Sequence, residues 1–353
     1  MPYCRKCGTE LDPDSKFCHD CGNQVAPAET APTTAAPKAK ERKFPIAAII
    51  LISILAFAAV VAAITLFPLN PVSFSQSEEA SAPNITTLDL IVNADVANTN
   101  IIFKELPGNQ RATINVSATG SQGIFETDQP VSLSTQQKTT EQTLTYTVEI
   151  SRTDSWNLVS GVHITCEVHI DPSASLNLTV KTTAGNIYLN SDQTLTIHSL
   201  NLQTTVGSID ATVSEQTTVS ESIDIKTTAG SAHLHWNEAN VSGDIPITLR
   251  ATTGTVTATI NQGKHLSGNV TLKAETTTGG VDLALDISGG VGALIETETG
   301  ILSTVNVDQT GFSSDNTPLQ SDNYPAGSNF QINLKATTGT IHIDANYETG
   351  INN

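Results

Sequence analysis

Beyond residue 45 the sequence is poor in positive charge. The 353-residue chain has 17 Lys and Arg against 35 Asp and Glu, and only ten of those bases, against twenty-nine of the acids, follow residue 45. A balance of −19 on that part repels polyanions, and no basic patch interleaved with aromatics is present, so nucleic acid is excluded as a partner. Aromatics are only 5% of the chain. With abundant Ser, Thr and Asn, this composition suits an exposed β protein. Catalytic signatures are missing too: there is no phosphate-cradling glycine loop, catalytic zinc motif, calcium repeat or nucleophile elbow. Cysteine is confined, with four of five in the first 21 residues.

What is abundant is a repeat. "VKTTAGNIYLN", "IKTTAGSAHLH" and "LKATTGTIHID" share a small-residue run, a glycine and an apolar alternation. The corner glycines are Gly185, Gly207, Gly230, Gly254, Gly279, Gly300 and Gly339, separated by 22, 23, 24, 25, 21 and 39 residues. Seven and five residues before each, and two after, every copy is apolar, as at Leu178, Val180 and Ile187. Alternation of period two is the pattern of strands with one buried face. Three residues before the glycine only Thr or Ala occurs, as a tight interior corner requires. Each unit of ~23 residues therefore reads as strand, glycine corner, strand and return turn. One unit cannot bury its apolar edge alone, so the units stack. The expected fold is mainly β, with a β-solenoid of about seven rungs over 172–353; an antiparallel sandwich is the alternative.

One apolar run stands apart. Ile46 to Phe67 has no charge, and as a helix it spans ~33 Å, enough for a hydrocarbon core of ~30 Å. It is longer and further from the start than a secretory signal, so an uncleaved transmembrane helix is expected over 46–67, with the lipid bilayer as its partner. Lys38, Lys40, Arg42 and Lys43 precede it, and no base follows nearby. The positive-inside rule then puts the N-terminus in the cytoplasm and the repeats outside a single-pass cell-membrane protein. Residues 24–45 read as a Pro/Ala-rich basic linker, 68–83 as a stalk, and 84–171 as a β-strand cap region.

"YCRKCG" and "FCHDCG" place Cys4, Cys7, Cys18 and Cys21 in two C-x2-C pairs ten residues apart. Each pair can turn both thiolates on one ion, with Gly8 and Gly22 allowing the tight turn. Four thiolates in a tetrahedron suit structural Zn²⁺, which would supply folding energy that so short a segment lacks. Two disulfides are the alternative, disfavoured on a cytoplasmic side. Cys166 falls in step with Val162, Ile164 and Val168 and reads as a buried, inert thiol.

Outward positions of the repeat bring Asp210 and His233 onto neighbouring rungs, with His235 on the same face. Such a pair could bind a metal or act as base and orienter; as a solvated surface pair it would do neither. The final spacing leaves roughly 16 extra residues within Val307 to Phe330. Repeat insertions map to loops, so Phe312 and Tyr324 either anchor recognition there or fold back over the end of the stack. Five N-x-S/T sequons, at Asn84, Asn115, Asn177, Asn240 and Asn269, are about the number expected by chance.

Residues 2–23 resemble the short zinc-ribbon module at the N-terminus of many prokaryotic membrane proteins, on the two C-x2-C-G knuckles, Leu11 and Phe17. From about residue 163, "VHIDPSASLNLTVKTTAGNIYLN" and the glycine-cornered units resemble the "putative adhesin" β-solenoid family of unknown function. The resemblance implies a cell-surface β-helical domain and transfers no active-site residue. The expected function is non-enzymatic adhesion or cell-envelope scaffolding, with an envelope glycan or protein as ligand. The alternative is a transmembrane envelope sensor in which the ribbon engages a cytosolic protein partner.

Overall fold

The computed structural model describes residues 3–12, 15–24, 46–66, 70–122, 129–153, 161–313 and 317–349. The chain divides into two compact units, Met1–Ala59 and Val60–Asn353. Secondary structure is mainly β, with one helix, α1 (Ile46–Leu66), among the described residues. Its 21 residues carry no charge. Side chains are described only from Ile50 to Ala62, and among these residues no helix is long and apolar enough to cross a membrane. Phe67 and the linker from 25 to 45 lie outside the described residues.

Twenty strands follow among the described residues. Before the glycine repeats come β1 (Asn70–Ser81), β2 (Thr87–Val96), β3 (Asn98–Phe103), β4 (Gln110–Gln122), β5 (Val131–Thr140), β6 (Thr143–Arg152) and β7 (His163–Ile170). The repeats begin with β8 (Ser175–Ala184), β9 (Ile187–Ser191), β10 (Leu195–Val206), β11 (Ile209–Val213), β12 (Thr217–Ala229) and β13 (Ala232–Asn237). They continue with β14 (Asn240–Val241), β15 (Ile245–Thr253), β16 (Val256–Gln262), β17 (Val270–Ser288), β18 (Val291–Thr310), β19 (Leu319–Gln320) and β20 (Ser328–Glu348). All join one hydrogen-bonded sheet.

The strand before each glycine pairs in parallel with its counterpart in the next repeat, along β8, β10, β12, β15 and β17. The strand after it does the same along β9, β11, β13, β16 and the second half of β17. The alternation explains the layering. Leu200, Leu202, Ile223, Ile225, Ile247 and Leu249 are all nearly inaccessible, each worth about 1.5–3 kcal/mol of burial. Trp236 from β13 meets Phe330 from β20 edge-on at 6.4 Å between ring centres, and its indole N–H donates to Gln262 Oε1 at 2.9 Å.

The glycine corner has a specific cause. Gly230 has φ +139°, and a Cβ on it would lie 1.9 Å from the carbonyl oxygen of Gly207. Gly254 repeats this over Gly230 at 1.8 Å. Successive corners nest so closely that only hydrogen fits between them. The inward threonine has a second task beyond being small. Thr204 and Thr227 donate their hydroxyls to the Gly185 and Gly207 carbonyls at 3.0 Å. Thr227→Val should therefore cost about 1 kcal/mol. It should appear in urea unfolding as a lowered midpoint with an unchanged slope. Ala251 and Ala336 at the same position show that the corner still forms without the hydroxyl.

Several expectations need correction. Stacking does not follow chain order at either end. β6 and β7 lie outside β2 and β3, which pair with β8 and β9. Residues 87–103 thus sit inside the parallel stack rather than only capping it. At the far end β20 is inserted between β17 and β18. Gly300 is out of register: Ser303, not Gly300, pairs with Gly339, and Ile295 pairs with Ile332. A shift between Thr299 and Leu302 absorbs the difference, leaving Leu302 exposed instead of inward. Residues 70–81, expected within a stalk, form β1, zipped antiparallel along β4. Its apolar contacts, Val72, Phe74 and Ala80, are too sparse to read as a strand. The extra residues after β18 return the chain to start β20. Phe312 and Leu319 are buried in the core, so Phe312 covers the stack, and Tyr324 is half-buried.

The turn at Asp171 opens the repeats. Burial raises the Asp171 carboxyl, but hydrogen bonds from Ser173 and from the Leu106 amide outweigh it, with Arg111 adding to them, and hold it below the usual value. A depressed folded pKa gives stability that is present above the unfolded carboxylate value and lost as pH falls through the folded one. Asp171→Asn should flatten acid unfolding below about pH 4, measured by fluorescence titration against the parent.

Candidate functional site

The first site is the N-terminal four-cysteine cluster. Its two knuckles fold alike. The Cys4 amide donates to Thr9 O at 2.8 Å and the Gly8 amide to Cys4 O at 2.9 Å; Cys18 with Asn23 and Gly22 with Cys18 repeat both distances. Gly8 and Gly22 take φ +80° and +68°, as such a turn needs. Short bridges Tyr3–Glu10 and Phe17–Gln24 close each knuckle. Leu11 is buried with Cys4 and Cys18, whereas Cys7 and Cys21 lie at the surface.

The ligand atoms of Cys4, Cys7, Cys18 and Cys21 all lie within 4.8 Å of one another, so the predicted residues are brought together and could hold a metal ion. Cys4 and Cys21 sulfurs are 3.7 Å apart and Cys7 and Cys18 sulfurs 3.5 Å. Four sulfurs ~2.3 Å from a central zinc stand about 3.8 Å apart along a tetrahedral edge. All four cysteines are free, and these separations are far beyond a disulfide bond.

Electrostatics fit the same purpose. Hydrogen bonds from the Thr9 hydroxyl and amide hold Cys7 down at about 6, and the Lys6 and Cys7 amides lower Cys4. The Asn23 amide pulls Cys21 down, but the neighbouring Cys7 sulfur, burial and the other two sulfurs push it up to about 12. The site thus stabilises the first thiolates and resists the last, a conflict that a dication at the centre removes.

The second candidate is a flank of the β unit. An open groove of about 500 Å³ crosses successive repeats just before the glycine corners. Lys181, Gln203, Lys226 and Arg250 succeed one another in register along it. Thr183, Thr205, Thr228 and Thr252 run beside them, and Asp95 and Glu149 lie at one end. Lys226 pairs with Asp224, and Arg250 Nε with Glu275 at 2.9 Å. Lys181 lies between the uncharged Asn93 and Gln203 and makes no ion pair among the described residues. The sequence holds this column in plain view, one cation or amide four residues before each of these glycines. The column occupies polar positions of the alternation, between the buried ones.

Solved structures similar to the chain include a "putative cell adhesion protein" from Clostridium sporogenes, at 12% identity and TM-score 0.37, covering 78% of this chain and 100% of that one. A "putative adhesin" from Bacteroides fragilis has 12% identity and TM-score 0.29, covering 76% and 96%. One from Parabacteroides distasonis has 12% identity and TM-score 0.31, covering 76% and 97%. Neither a family model nor a curated protein matches the chain. Similarity at this level assigns no activity.

The remaining sequence candidates are placed as follows. Asp210 pairs in register with His233, and His235 Nε2 lies 3.7 Å from Asp210 Oδ1, with both side chains about half exposed. The three share an open outer face, where only His235 and Asp210 come within reach of each other. Cys166 is fully buried, and burial, with the adjacent Glu167 charge, pushes its thiol up to about 12. It has neither the access nor the thiolate of a nucleophile.

Proposed function

We propose that the protein is a single-pass, membrane-anchored surface protein whose outer β unit is a solenoid serving adhesion or cell-envelope scaffolding. The observation that carries this reading is the repeat-built flank. Parallel stacking sets one polar row after another along a face in register, and the groove beside the glycine corners offers hydroxyls, amides and cations together. Such a row suits an extended ligand that makes the same modest contact at each repeat, an envelope glycan or a protein strand bearing acidic groups. The charge-free helix α1 supports anchoring, and the basic run from Lys38 to Lys43 supports a cytoplasmic N-terminus. In this reading the four-cysteine module holds structural zinc: four thiolates fill every position and leave none open for substrate. The protein is proposed to be non-enzymatic.

The test uses the full chain in lipid nanodiscs against solubilised envelope polysaccharide and polygalacturonate, read by surface plasmon resonance. Saturable binding that falls at least tenfold in Lys181→Glu/Arg250→Glu is expected. Absence of binding to any envelope fraction, or binding indifferent to the double variant, would count against the flank. A ribbon that captures one cytosolic protein while the flank binds nothing would favour the sensor reading.

A further inference from the structure

The far end of the β stack is only half covered. Phe312, Leu319 and β19 close over the first half of β18, where Leu294 and Ile295 pair with Gln320 and Leu319. The second half differs. From Leu302 to Asp308, β18 pairs with β20 on one side, and among the described residues no strand pairs with its other side. Val305 and Val307 stand in register with the fully buried Ile341 and Ile343, yet they are only partly buried. Beside them Ile301 and Leu302 are 102% and 74% exposed, the two most exposed large apolar side chains of the β strands. Natural edges are usually blunted by charge, proline or a bulge. Here Ile301 to Val307 carries no charge and no proline, and Asp308 is the first ionisable group.

We propose that this edge is a dimer interface, filled by the same edge of a second copy in antiparallel pairing. Three observations select that occupant. An open rung is completed by another strand with valines at the same alternation, and the second copy supplies one. Self-pairing centred on Val305 sets Leu302 opposite Asp308 and keeps the two Asp308 carboxylates roughly 20 Å apart along the strands. Head-to-tail stacking on the other open edge of that layer, β1, would instead bring Asp308 towards Glu78 and Glu79. Like charge therefore disfavours a filament, and two-fold pairing closes the assembly at two copies. The joined strands would continue both the sheet and the apolar interior across the axis.

The test is mass photometry and sedimentation of the full chain in nanodiscs loaded at increasing protein, beside hydrogen exchange of the Leu302–Asp308 amides. A monomer–dimer equilibrium is expected, with these amides protected as dimer forms. Val305→Lys, which sets two lysines face to face, should weaken the dimer at least tenfold. Because Val305 is only partly buried, a melting curve unchanged at low concentration will show that the fold survives; Thr304→Lys, on an exposed side chain, repeats the test if it does not. A wild type that stays monomeric, a dimer indifferent to both lysine variants, or an assembly that grows past two copies would each overturn the proposal. Protection of the same amides in cells without self-association would hand the edge to another protein and also overturn it.

Discussion

Gly230→Ala will destabilise the β unit by about 3 kcal/mol or more, a fall in melting temperature on the order of 5–10 °C for a unit of this size. Two independent terms act together. The residue sits at φ +139°, where a Cβ is strained. The new methyl would also lie 1.9 Å from the Gly207 carbonyl oxygen, a backbone atom held by its own rung. Relief would require parting two rungs whose strands pair along their whole length. Gly280→Ala supplies the control. That glycine has no positive φ, and its nearest neighbour would be 3.7 Å away, so its change should stay within about 1 kcal/mol. Equal effects at the two positions, measured by scanning calorimetry, would refute the nested-corner explanation.

Cys18→Ser should abolish metal binding and unfold the ribbon. Cys18 is the more buried sulfur of its knuckle, and its amide and carbonyl hold the Asn23 and Gly22 bonds that shape the turn. Removing one thiolate of four leaves an incomplete tetrahedron around an ion whose binding is worth on the order of 10–16 kcal/mol in small zinc modules. Full-length protein should release one zinc per chain on thiol titration with a metallochromic dye, and the Cys18→Ser variant none. Cys166→Ser, far from the cluster in sequence and buried in the β core, should keep full metal content. Binding needs thiolates, so metal should also be lost on acidification, as protons compete for sulfur. Retention of one zinc in Cys18→Ser would show that another donor completes the site.

These two sites were legible in the sequence for different reasons. The cysteine spacing is local, and each knuckle needs only its own six residues, so the clustering of the sulfurs and the backbone turn are read together. The glycine corners are legible because every copy repeats one offset, and a steric demand imposed by the preceding rung appears at the same place each time. What the sequence conceals is order. A period says that units stack, but any unit with the right alternation fits on any other, so β20 can enter between β17 and β18 without leaving a mark. The shifted register at Gly300 is hidden likewise: Leu302 is apolar at the expected offset, yet the shift sets it beside the exposed Thr338 and turns it to solvent. β1 is not legible in the sequence because an edge strand needs few apolar residues. The hydroxyl bond from Thr227 back to the Gly207 corner depends on how neighbouring rungs stack, which the sequence alone does not show.

The central claim, a zinc-bearing module inside and a β stack outside one membrane span, is tested most directly by protease shaving of intact cells with epitopes at both chain ends. The account predicts that external protease removes the C-terminal epitope and leaves an N-terminal fragment, with its zinc, until the membrane is permeabilised. Loss of the N-terminal epitope from intact cells, or survival of both ends, would contradict it.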